Sequence, residues 1–230
     1  MSEYRPSLNP GQYSDVADVA VRNRVLRNTY WLLAISLIPT VLGAAFGMYS
    51  GINKVMATSP FISMIIFLAG AFGLMYAIEK NKETSLGVGL LLLFTFFMGM
   101  MLSRLLGHVL GMSNGTQLVM FAFGGTAIVF GTMATLASTI KRDLSGMAKF
   151  MFIGVVILLI ASLANIFLKL PALMLTISVV AIVIFSAFML IDLQRVVNGG
   201  ETNYVVATLA IYLDVYNVFS NLLAIFGIFG

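Results

Sequence analysis

Seven stretches, residues 29–49, 60–78, 85–102, 117–140, 150–168, 171–193 and 204–229, are apolar almost without interruption, and the only charged side chains inside them are Asp192 and Asp214. About 20 apolar residues are what an α-helix needs to cross the roughly 30 Å hydrocarbon core of a bilayer. Within that core every backbone N–H and C=O must find its partner inside the segment or in a closed barrel. Barrel strands alternate in polarity with a period of two, and these stretches do not, so helices are expected. Composition agrees: 60% of the chain is hydrophobic and 10% charged, with a mean hydropathy of +1.02, whereas soluble domains are about 25% charged.

Residues 1–28 are polar, of mixed charge, and contain Pro6 and Pro10, so they read as a flexible tail without regular structure. A cleavable signal peptide is not expected, because the first apolar stretch comes late and is long. Tyr30 and Trp31 open that stretch with rings suited to the headgroup level, and Pro39 predicts a kink in it. The fourth stretch is rich in small residues, with Ala127/Gly131 and Ala134/Ser138 at i, i+4, which permits close helix approach and predicts a central position. Lys169, Leu170 and Pro171 leave a connection so short that the fifth and sixth helices must be antiparallel neighbours. The third helix has the least certain end, because Arg104 and His108 follow it. The expected fold is an all-α integral membrane protein, a seven-helix transmembrane bundle spanning residues 29–230 behind the tail.

Arginine and lysine set the orientation. Arg5, Arg22, Arg24, Arg27, Lys80, Lys82, Lys141, Arg142, Lys149 and Arg195 fall in the tail and in alternate connections, whereas the other side has only Lys54, Arg104 and Lys169. The positive-inside rule then puts the N-terminus in the cytoplasm and the C-terminus outside. The net charge of +4 reports this topology rather than nucleic-acid binding, and the partner it predicts is the lipid bilayer.

Chemistry is sparsely represented. There is no cysteine and one histidine, His108, which removes thiolate metal sites and most triads. Gly111-Met-Ser113-Asn-Gly115 matches a nucleophile-elbow pattern only formally, since it lacks the flanking strand, and reads as a turn. Asn114-Gly-Thr116 matches a glycosylation sequon of consequence only in a eukaryotic secretory pathway. No enzyme, cofactor or firm metal site is expected.

The two intramembrane aspartates are the exception. An Asp at the centre of a membrane helix costs roughly 2.5 to 3.5 kcal/mol on insertion scales and is a functional-site candidate by default. Asp214, Asn217 and Asn221 lie at i, i+3, i+7 and share one helix face, so this polar stripe should point into the bundle. Asp192 and Arg195 are i, i+3 neighbours able to pair. One reading has Asp192 solvated at a helix end beside Arg195, and Asp214 as a hydrogen-bonded packing residue. The other has both carboxylates meeting in the interior, where two such groups cannot easily both ionise and so share a proton. Counting from the turn that joins the two helices, their depths differ by about 7 Å at 1.5 Å per residue.

Ile191-Asp192-Leu, and Ile211-Tyr-Leu-Asp214-Val-Tyr-Asn217-Val-Phe219 with Asn221 behind it, resemble the closing signature of the Bax inhibitor-1 family. Phe123-Gly-Gly-Thr126, Lys141-Arg-Asp143-Leu-Ser145 and Asn165-Ile-Phe167 extend the similarity over nearly the whole chain after the tail. Val25-Leu-Arg27-Asn-Thr-Tyr30, Ala164-Asn-Ile-Phe-Leu168 followed by Leu170-Pro-Ala172, and Gly199-Gly-Glu-Thr-Asn-Tyr204 are similar to the bacterial branch that modulates the membrane-anchored FtsH protease.

The resemblance implies seven helices around a central hydrophobic one, in a bacterial inner membrane. It implies binding to an FtsH-type protease and its associated membrane proteins, with the N-terminal tail as a handle. It also implies an alternative: a pH-gated calcium leak in which Asp192 and Asp214 are the proton sensor and calcium, passing near them, is the transported ion. A basic residue that latches this pair in some members has no clear match, Lys80 and Lys82 being stand-ins. The protease-modulating branch is implied not to keep the pair intact, whereas this chain keeps both aspartates.

Overall fold

The computed structural model describes residues 10–229. In chain order the helices are α1 (Pro10–Tyr49), α2 (Ile52–Thr58), α3 (Pro60–Asn81), α4 (Ser85–Leu110), α5 (Gly115–Thr139), α6 (Ala148–Leu168), α7 (Pro171–Val197) and α8 (Tyr204–Phe229), with a 3-10 turn at Ser145–Met147 before α6. All except the short α2 are long and apolar enough to cross a membrane, which gives the seven spans expected. No strand occurs among the described residues.

Proline and asparagine punctuate the elements. Pro60 and Pro171 occupy first-turn positions of α3 and α7, where a missing N–H leaves no bond unmade. Lys169 closes α6 in the left-handed region at φ 51, and the Asn165 side chain accepts the Leu170 N–H at 2.9 Å, which holds this hairpin. Asn203 Oδ1 caps α8 by accepting the N–H groups of Val205 and Val206 at 2.9 and 3.1 Å.

Two boundaries move. Residues 10–28, expected as tail without regular structure, continue α1 backwards as helix, and the rest of that tail lies outside the described residues. With no partner required, a helix already formed from residue 29 propagates at one hydrogen bond per added residue and avoids a second nucleation. α1 is also unbroken through Pro39. α4 runs on past Leu102 through Arg104 and His108 to Leu110.

The central helix is α8, not the fourth span. α8 packs against α1, α3, α4, α5 and α7, and Val205, Ile211, Tyr212, Val218 and Leu223 on it are essentially inaccessible. α5 instead exposes Met120, Phe121, Phe123 and Ile128, and its Gly124 and Gly131 face open space. Its small residues line a shallow outward groove through Ala127, Gly131 and Thr135.

The tightest backbone approach lies between α1 and α4. A Cβ on Gly43 would collide with the Phe96 carbonyl, one on Gly99 with the Thr40 carbonyl, and one on Gly47 with Ser103. Gly43/Gly47 and Gly99/Ser103 are small residues at i, i+4 on facing helices, the pattern that lets membrane helices pack without intervening side chains. Small residues permit such contact and do not demand it, so the Ala127/Gly131 pair of α5 carries the pattern without a partner.

The expected alternation of connections holds. The α3–α4 turn meets the α7–α8 connection, because Asn203 Nδ2 donates to the Lys82 carbonyl at 3.0 Å. The α5–α6 connection meets the end of α7 through Gln194, and the Arg22 stem of α1 lies against Gly199. The Lys and Arg residues assigned to the basic side, among the described residues, lie in these segments or in the helix turns that adjoin them.

Candidate functional site

α7 and α8 are an extensively packed antiparallel pair, and the two intramembrane aspartates lie in their interface. Asp214 on α8 is buried, at 4% exposure. Asp192 on α7 keeps a side-chain exposure of 16%. The two carboxyl groups are near enough across this interface to act on each other electrostatically, despite the offset in depth counted from the turn. Asp214 Oδ2 is buried with no hydrogen-bond partner among the described residues.

Arg195 also reaches the site. Its Nη1 lies 3.7 Å from Asp192 Oδ1, with the Arg195 side chain 54% exposed. At that distance and exposure the ion pair is worth well under 1 kcal/mol. Both partners proposed for Asp192 from the sequence are therefore present at once, Arg195 on the water side and Asp214 on the inner side.

The remaining members of the expected polar network do not join it. Asn217 Nδ2 donates to the Leu213 carbonyl and Asn221 Nδ2 to the Asn217 carbonyl, each at 2.8 Å, so both amides bond back along α8 rather than to Asp214. An amide one turn away has a backbone acceptor always within reach, and reaching across to another helix would forfeit it. Lys82, a stand-in for a latch, pairs instead with Glu79 at 2.5 Å, and Glu79 holds its ammonium above the usual lysine range.

A single carboxylate pair is a poor resident cation site. No third His, Asp or Glu joins it among the described residues, whereas Ca²⁺ takes six to eight oxygens. Such a pair suits proton sharing or brief contact with a passing ion. Beyond Asn221, Val109, Leu118, Ala122 and Leu223 form a dry cluster with Leu105, Phe219 and Phe226 packed around it, closing that end of the stripe.

Neutral amides and hydroxyls, unremarked in the sequence, do most of the cross-linking. Gln194, at 2% exposure, accepts the Leu144 N–H at 3.0 Å and donates to the carbonyls of Ile140 and Arg142 at 3.0 and 2.8 Å. It thus ties the α5–α6 connection to α7 two residues from Asp192. In that connection the Ser145 N–H, 2.9 Å from Asp143 Oδ1, holds the Asp143 carboxyl below the usual range. Asn203 adds a bond to Glu83 Oε1 at 3.1 Å. On the opposite face of α8, Tyr212 Oη and Thr40 Oγ1 are 2.8 Å apart, and Tyr216 donates to the Met98 carbonyl at 3.3 Å. The only available signal for these residues was a polar side chain in or beside an apolar run, which a helix end explains equally well.

A family model described as inhibitor of apoptosis-promoting Bax1 matches residues 22–230. A protein of Neisseria meningitidis, named only as uncharacterized, is 39% identical over 215 residues, covering 93% of this chain and 94% of its own. A protein of Escherichia coli named modulator of FtsH protease YccA is 37% identical over 205 residues, covering 89% and 90%. An uncharacterized protein of Pseudomonas aeruginosa is 34% identical over 230 residues, covering 100% and 99%.

Proposed function

Because the chain belongs to the Bax inhibitor-1 family, we propose that it sits in a bacterial inner membrane with its basic end in the cytoplasm, and there binds and modulates an FtsH-type membrane protease. The observation that carries this reading is the end-to-end similarity to the E. coli relative named for that role, 37% identity across 89% of this chain. α1 supports it physically. Its 40 residues extend about 60 Å at 1.5 Å per residue, twice the roughly 30 Å hydrocarbon core. The surplus emerges at the basic end as a stalk that would present residues 1–9 to a partner. Co-purification from mild detergent with the host protease tests the reading. The expected result is a complex and a change in the protease's turnover of other membrane substrates, lost on deletion of residues 1–18, which precede the first span. No complex, and no effect of that deletion, would refute it.

A second reading, a proton-gated calcium leak, is favoured by one specific observation: Asp214 is buried beside Asp192 across the α7–α8 interface, and its Oδ2 has no hydrogen-bond partner among the described residues. Calcium flux into proteoliposomes should vary with pH, and Asp214→Asn should flatten that response. A wild-type protein that passes no calcium at any pH would remove this reading and leave the first untouched.

A further inference from the structure

At the basic end, the α7–α8 connection turns back beside α1 and leaves a pocket of about 300 Å³. Arg22 and Val25 line one wall, and Asn198, Gly199, Glu201 and Thr202 line the other. Gly199 sits at φ +77, a conformation that suits glycine, and the Arg22 stem lies 3.6 Å from the point where a Cβ would be. The turn therefore accepts the arginine stem alongside it without filling the cavity.

The charges across this pocket are opposite, and they form no ion pair with each other. Arg22 and Glu201 share it, yet the ion pairs among the described residues are Lys82–Glu79 and Arg195–Asp192. Glu201 is held in place, because its Oε1 accepts the Asn203 N–H at 2.8 Å. A cation and an anion facing one cavity without closing on each other complement a ligand that carries both charges. The level is equally informative. Val25 is buried at the point where α1 enters the bundle, while α7 ends at Val197 and α8 starts at Tyr204, so the pocket lies at the ends of two spans, the level at which headgroups are expected.

We propose that this pocket binds the phosphoethanolamine headgroup of a membrane phospholipid, with the phosphate on Arg22 and the ammonium on Glu201. A guanidinium presents parallel N–H donors that match two phosphate oxygens. The ammonium donates hydrogen bonds to the Glu201 carboxylate, which a trimethylammonium cannot do, and a glycerol headgroup carries no cation. The site does not depend on the protease reading or on the aspartate pair.

The test is native mass spectrometry of the full chain in detergent, titrated with phosphatidylethanolamine, phosphatidylcholine and phosphatidylglycerol of identical acyl chains. Phosphatidylethanolamine should be retained roughly tenfold more tightly than phosphatidylglycerol, the scale of one charge-assisted hydrogen bond. Arg22→Gln should weaken all three lipids, and Glu201→Gln should abolish the preference for ethanolamine over both choline and glycerol. Arg24→Gln, on the same helix and exposed but outside the pocket, should change nothing. Tightest binding of phosphatidylglycerol, with Arg24→Gln as damaging as Arg22→Gln, would mean general attraction of anionic lipid to a basic surface and would overturn the proposal. Displacement of the lipid by free phosphoethanolamine at equal concentration would overturn the lipid source and assign the pocket to the soluble zwitterion.

Discussion

Replacing Gln194 by Met keeps the length of the side chain and removes three hydrogen bonds to a connection some fifty residues away in sequence. Each such bond contributes about 1 kcal/mol net, and a fully buried orphan would cost more. Lys141, Arg142 and Asp143 are exposed, so water replaces part of what is lost, and the expected cost is local and about 2 kcal/mol. At about 1.4 kcal/mol per tenfold, the Leu144 amide, which donates directly to Gln194, should exchange with solvent roughly thirtyfold faster. Hydrogen exchange read by mass spectrometry on peptides covering residues 140–146 measures this, with α8 peptides as the internal reference. Gln194→Glu separates the two halves of the clamp: it keeps an acceptor for Leu144 but turns a carboxylate oxygen toward the carbonyls of Ile140 and Arg142. An unchanged Leu144 amide in the Met variant would refute the claim that this side chain holds the connection.

Gly43→Leu or Gly99→Leu should destabilise the protein by about 3 kcal/mol or more, because the added Cβ meets backbone that cannot swing aside. Gly124→Ala, whose Cβ meets nothing within 4 Å, should be neutral or gain up to about 1 kcal/mol; thermal unfolding in detergent distinguishes the two classes. Asn203→Ala should cost about 1 kcal/mol for the lost cap and free the α3–α4 turn. Asn203→Asp should keep the cap and still free the turn, since its carboxylate would face Glu83; cleavage by an added protease at residues 79–84 should rise in both variants, and thermal unfolding separates them by the cap.

The spans are legible because the bilayer imposes a rule on composition that side-chain detail cannot override: only α1 and α4 differ much in extent, α1 by starting earlier and α4 by ending later than the apolar stretch. Position within the bundle is not legible in the same way. Gly43/Gly47 and Ala127/Gly131 look alike in sequence, and only the first pair has a helix against it. Asp192 and Asp214 stand out because a charge in a span is rare and costly. Gln194 and Asn203 do not, because a neutral amide next to a helix end is ordinary until its partners in distant connections are seen. Asn217 and Asn221 show the converse, a correct face with bonds that stay on their own helix.

The helix on which the bundle closes is also the latest of the spans in chain order. α1 and α4 can pair early through their glycines, but Thr29, Thr40, Thr95 and Met98 wait for Thr208, Tyr212 and Tyr216 to arrive on α8. α5 packs on α4 only lightly and otherwise waits for α7 and α8. During synthesis, then, the six spans before α8 are inserted while these hydrogen bonds are still unmade, and the part of the core that α8 carries is added last.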